Sequence, residues 1–154
     1  MAMQNQTVLE PTMKWYKFVI WIQLFVSLMI GFFNGLSMIT GSVYSNLGGD
    51  AAVIWATYPG LQYIDWSYGL VLIGWAVFAV YVRQRLANYR KDGPRLYLLF
   101  LIISLAAAVV YNLICGLIVG GLDGAGLLMT VLCNGLFIWL NSSYFKKRQR
   151  LFVN

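Results

Sequence analysis

The sequence predicts an all-α integral membrane protein, a bundle of four transmembrane helices with both termini in the cytoplasm. Three observations carry this reading. First, 60% of the 154 residues are hydrophobic and 10% are charged, more apolar surface than a soluble domain of this length can hide. Second, the apolar residues gather into four runs, at about 15–42, 64–82, 95–120 and 126–145, each near the roughly 20 residues a helix needs to cross a bilayer. Third, the basic residues fall on one side only. Lys14 and Lys17 precede the first run, Arg83, Arg85, Arg90, Lys91 and Arg95 lie between the second and third, and Lys146, Lys147, Arg148 and Arg150 follow the fourth. The positive-inside rule places that side in the cytoplasm.

The net charge of +6 hides a steeper polarity. The basic side carries 11 cations with Glu10 and Asp92, leaving +9, while Asp50, Asp65 and Asp123 leave −3 on the other. Each Lys or Arg at headgroup depth attracts anionic lipid by about 1 kcal/mol. Arg83, Arg85, Arg90, Lys146, Lys147 and Arg148 are therefore the expected lipid contacts. Nucleic acid is not implied, because topology alone requires these cations.

Taken in order, residues 1–13 are expected to form a short cytoplasmic tail. The first run exceeds the roughly 7–15 apolar residues of a signal peptide, so it reads as a retained span. The connection from Val43 to Tyr63 contains Gly48-Gly49 and Pro59-Gly60, and its apolar stretch Ala51 to Trp55 suits a short interfacial helix. No breaker follows the second span before Gly93, so that helix can run on. Gly93-Pro94 suits the start of the third span, and Gly120-Gly121 ends it. The link from Gly121 to Ala125 is so short that the third and fourth spans must be antiparallel neighbours. Residues 147–154 form a basic tail. Trp15, Tyr16, Tyr81, Tyr97 and Tyr144 mark one interface, and Tyr44, Trp55, Tyr58, Tyr63, Trp66 and Tyr68 the other. Trp75 and Trp139 lie deeper, as packing residues. The string Arg-Gln-Arg-Leu recurs at 83–86 and 148–151, a trace of a repeat of two hairpins.

Two stripes of small and polar residues recur at four-residue spacing, which puts each on one helix face. The first span has Gln23, Ser27, Gly31 and Gly35; the third has Ser104, Ala108, Asn112, Gly116 and Gly120. Both contain GxxxG. In lipid, helices associate through small residues that admit close approach and through polar side chains. Ser27, Gly31, Gly35, Ala108, Gly116 and Gly120 are thus the expected packing residues, with the two faces in close contact either within one chain or across a dimer.

Asn34, Asn112 and Asn134 fall at one depth, roughly 12 Å below the far surface at 1.5 Å per residue. An unpaired amide in hydrocarbon is costly, so all three are expected to face inward, either as interhelical glue or as the lining of a polar cavity. Asp65, at the start of the second span, is expected either to cap that helix or to serve as an ionisable site.

The chain has no His and no CxxC, and its two cysteines, Cys115 and Cys133, lie inside apolar runs. Zinc, haem held by His and thiol relays have no support. No catalytic residue, cofactor or metal site is indicated, and general acid–base chemistry lacks its usual groups.

The segments Asn141 to Asn154, Tyr81-Val-Arg83-Gln-Arg85-Leu86 and Asp65-Trp66-Ser67-Tyr68-Gly69 resemble those of small four-helix membrane proteins of Gram-positive bacteria. The resemblance runs from about Lys14 to Asn154 and implies a bacterial plasma membrane but no chemistry. Some members of that group carry an N-terminal zinc ribbon, which this sequence lacks. Other four-helix families fit poorly. Leu70 to Val82 has neither the Glu nor the Arg of the glutathione-handling membrane enzymes, and the first span has no acid like that of small multidrug exporters. The loop Val43 to Tyr63 lacks the paired cysteines of claudin-like proteins. The function expected is that of a non-enzymatic accessory, regulatory or assembly component acting through protein or lipid partners. The alternative is a small oligomeric channel or transporter.

Overall fold

The computed structural model describes residues 13–152. The tail expected over Met1 to Thr12, and the last two residues, lie outside them. The described chain forms helices α1 (Lys14–Thr40), α2 (Ser42–Ser45), α3 (Ala51–Thr57), α4 (Pro59–Ala87), α5 (Gly93–Val119) and α6 (Gly124–Lys146), then a 3₁₀ turn, Gln149–Leu151. Helices α1, α4, α5 and α6 are each long and apolar enough to cross a membrane.

Local chemistry sets the helix ends. Gly41, at φ 75°, closes α1, and Gly120, at φ 76°, closes α5; the left-handed region favours glycine there. The Asp50 carboxylate accepts the Ala52 N–H and starts α3, and Asp123 accepts the Gly126 N–H and starts α6. Pro59 opens α4, since a proline in the first turn lacks only an N–H that would be orphaned anyway. The helix therefore begins at Pro59 rather than near Ile64, and it runs on to Ala87.

Helix α1 packs on α4, α4 on α5 and α5 on α6. At the end that carries both termini, here the terminal end, all four converge. Tyr16, Val19, Ile20 and Leu24 of α1 meet Ala79, Val82 and Leu86 of α4, Tyr97 and Phe100 of α5, Phe145 of α6, and Phe152. Most polar atoms at this core are paired, as hydrocarbon favours; the buried Tyr144 hydroxyl has no partner among the described residues. The Tyr16 hydroxyl donates to the Leu86 carbonyl. Tyr97 donates to Gln23 Oε1 at 2.7 Å, and Trp15 Nε1 donates to Oδ1 of the buried Asn141 at 3.0 Å. Trp75 stacks on Phe100 with centroids 4.4 Å apart, whereas Trp139, expected to pack, is exposed.

Helix α1 contains a π turn, Val19–Gln23. The wider turn disturbs the i→i−4 ladder. Arg83 Nε of α4 donates to the Ile20 carbonyl at 3.2 Å, with its guanidinium 4.8 Å from the Trp21 ring centroid.

Towards the opposite, far end, α1 and α4 cross backbone to backbone. A Cβ added at Gly35 would lie 2.7 Å from the Gly69 carbonyl oxygen, and one at Gly69 would lie 2.7 Å from that of Gly35. A Cβ at Gly31 would lie 2.9 Å from the Trp75 ring. Within the chain, the small face of the first span therefore meets the second span rather than the third. Gly116 and Gly120 pack no helix at all. The Gly116 carbonyl accepts the N–H groups of Gly120 and Gly121, and a Cβ at Gly116 would strike Leu122 of the following turn. This second GxxxG is a helix-termination signal. Ser27 and Ala108 are half-buried.

Candidate functional site

Asp65 is fully buried in the second turn of α4, too far into the helix to cap it. Helix α4 opens at Pro59 with no side-chain cap, while Asp50 and Asp123 cap α3 and α6 at this end. The Asp65 carboxylate instead gathers three ring donors from three other helices. Oδ2 accepts the Tyr44 hydroxyl of α2 at 2.6 Å and the Trp55 indole N–H of α3 at 2.9 Å; Oδ1 accepts the Tyr111 hydroxyl of α5 at 2.9 Å. Tyr111 in turn stacks on Tyr68 of α4, centroids 4.1 Å apart. No basic residue pairs with Asp65 among the described residues. Burial first, and then the hydrogen bond and charge of Asp65, push the Tyr44 phenol well above its ordinary range, so it stays a donor. Three of the roughly four lone-pair positions of a carboxylate are filled. The arrangement ties the connection between α1 and α4 onto the helices, with the carboxylate itself fully buried.

This tie was only partly visible in the sequence. Asp65 stood out as the lone acid near a span. Tyr44 and Trp55 looked like ordinary belt residues, and Tyr111 carried a usable signal: a hydroxyl deep in an apolar run needs an acceptor.

The asparagines do not form a shared inward layer. Asn34, Asn112 and Asn134 are all exposed on the four-helix body. Asn34 borders a cavity of about 280 Å³ with Ser37, Met38, Asn46 and Tyr68, and neither of the other two reaches it. Asn112 donates to the Ala108 carbonyl of its own helix, and Asn134 to that of Thr130, each at 2.8 Å. An asparagine offers two N–H donors and an accepting oxygen. Each of these two spends one donor on its own helix, leaving its oxygen and second donor without a partner among the described residues. Helix α5 packs on α4 and on α6, and Asn112 and Asn134, both exposed, lie off these contacts. The free cysteine Cys133, next to Asn134, is exposed as well, while Cys115 is half-buried.

The basic residues divide by their surroundings. Arg83 is held by Ile20 and Trp21 as described. Arg85 pairs with Asp92 at 3.3 Å and lies over the Tyr81 ring, and Arg148 sits 3.9 Å from the Tyr144 ring centroid. Arg90, Lys146 and Lys147 are exposed. Of the six expected lipid contacts, three are thus engaged within the protein and three point freely outward. The chain matches no family model, no curated protein and no solved structure.

Proposed function

We propose that this chain is a non-enzymatic membrane component that works by holding another transmembrane helix against the far half of α5 and α6. One observation carries the reading: Asn112 and Asn134 hold unspent amide groups on the outer surface of adjacent helices, at a depth where lipid offers no hydrogen bond. Interhelical bonds between such groups are worth roughly 0.6–2 kcal/mol each, enough to select and register a partner. The weak internal packing of this half supports the same reading. Only 6% of the most apolar stretch of α5, and of α6, is buried, against 28% for α1 and 22% for α4.

The proposal includes a bacterial plasma membrane with both termini in the cytoplasm. The orientation is supported by the charge asymmetry, and the compartment by the resemblance noted above. A second reading rests on the same observation. In a ring of copies, outward asparagines would line a passage for a small solute, and the chain would be a channel or transporter subunit.

The exposed Cys133 supplies the test. A membrane-permeant bifunctional thiol crosslinker applied to native membranes should join Cys133 to a neighbouring chain. The double variant Asn112→Leu and Asn134→Leu should lose that product while unfolding in detergent within about 0.5 kcal/mol of wild type, as exposed substitutions do. Equal crosslinking by both proteins would sink the proposal. A discrete ring of copies with solute flux that the double variant abolishes would favour the channel reading.

A further inference from the structure

At the terminal end, the link between α4 and α5 and the 3₁₀ turn after α6 enclose a cleft of about 430 Å³, lined by Lys91, Asp92, Pro94, Arg95, Gln149 and Phe152. We infer that this cleft binds a phosphate group, most simply the phosphodiester of an anionic lipid headgroup. Its chemistry is layered. Pro94 and Phe152 are buried and give it an apolar floor, while Lys91, Arg95 and Gln149 are exposed at its rim. Neither Lys91 nor Arg95 has an acidic partner among the described residues. Among the described residues Asp92 is the one acid lining the cleft, and Arg85 pairs with it at 3.3 Å, so the charge these residues leave at the rim is that of Lys91 and Arg95. The first turn of α5 adds a donor. Gly93 N–H bonds the Arg90 carbonyl and Leu96 N–H the Asp92 carbonyl, Pro94 has none, and the Arg95 N–H is left without a backbone acceptor. A bidentate-capable guanidinium, a point-charge ammonium and a free N–H at a helix start are the donor set that a tetrahedral anion selects.

The position favours a lipid as the source. The cleft lies where the spans end, which is headgroup depth, and its apolar floor continues into the aromatic core through Phe152. It is also distinct from the general attraction of a basic surface. Lys146 and Lys147 are equally exposed cations at the same end of the protein and lie outside the cleft.

That distinction gives a charge-matched experiment. The full-length protein in detergent is offered phosphatidylglycerol and phosphatidylcholine in equal amounts, and bound lipid is counted by native mass spectrometry. Wild type should retain one phosphatidylglycerol in preference to phosphatidylcholine. Lys91→Gln with Arg95→Gln should weaken that retention about 25-fold, each cation counting for about fivefold, whereas Lys146→Gln with Lys147→Gln should leave it nearly intact. Equal loss in the two double variants would reduce the effect to a diffuse field and overturn the site, as would no loss in either. The swap Lys91→Arg with Arg95→Lys should restore binding, separating lost charge from lost structure. Inorganic phosphate is the second probe. Displacement of the lipid by millimolar phosphate assigns the cleft to the phosphate group alone; resistance to displacement assigns it to the headgroup with its attached chains.

Discussion

At the terminal end, five aromatic rings from three helices and the final turn close around the hydrogen bonds of Tyr16, Tyr97 and Asn141. At the far end, the same helices meet through two facing glycines, one carboxylate and a stacked tyrosine pair. The difference follows from the solvent. Lipid is as apolar as the side chains, so burying a large ring gains interlocking contact rather than release from water. The terminal end obtains that contact with bulk, which forgives small polar changes but not loss of volume. The far end obtains cohesion by bringing backbones together and by one charge-assisted cluster, which tolerates modest loss of volume but not the loss of a single acceptor or the addition of a single methyl group.

Three tests break or sharpen this contrast. The largest effect is expected from Asp65→Ala, which leaves the Tyr44, Trp55 and Tyr111 donors without an acceptor. Each unmatched buried donor costs about 1–3 kcal/mol. Since the rings are only half-buried, the total should be roughly 4 kcal/mol, measured by SDS unfolding in mixed micelles, with a red shift of Trp55 emission. Unfolding at the wild-type midpoint would show that the cluster contributes nothing. Next comes Phe100→Ala at the terminal end, which empties the space beside Trp75. In water such a change costs about 3–5 kcal/mol; without the transfer term it should cost roughly 2–3 kcal/mol here, whereas Leu117→Ala, on a side chain 79% exposed, should be silent. The smallest of the three is a paired test of the two GxxxG motifs. Gly35→Val should cost about 1–3 kcal/mol by overpacking one helix against another, while Gly116→Leu, which displaces Leu122 of the turn after α5, should cost less, about 1 kcal/mol. A reversed order would restore the third-span packing face that the geometry denies.

The spans and the short α3 helix were legible because each depends on nearby residues: apolar run length and a turn residue. The partners of the glycine face were not. Gly31 and Gly35 advertise close packing, but Gly69 and Ala76 opposite them sit among larger residues and form no four-residue stripe. The third-span stripe misled for a related reason. Small residues near a helix end can serve termination instead of packing, and spacing is the same for both. Counting residues along the spans puts the three asparagines on one level, yet depth carries no azimuth, and azimuth decides whether an amide faces a helix or the lipid. The repeated Arg-Gln-Arg-Leu shows how little a local string fixes. Its first copy completes a turn of α4, and its second is spread over the 3₁₀ turn after α6.

The π turn in α1 is a correction of phase. Tyr16 and Gly35 both face α4, yet the step between them is about one residue longer than five whole turns at 3.6 residues each, a mismatch of roughly 100°. Between them, Val19–Gln23 absorbs one surplus residue in its wider turn, and the two halves of α1 come into line on the same neighbour. The aromatic half and the glycine half of that helix are thus indexed separately and joined by a slip of one position, with Arg83 fastened across the joint. The length of α1 can vary there by a single residue while both faces stay on target.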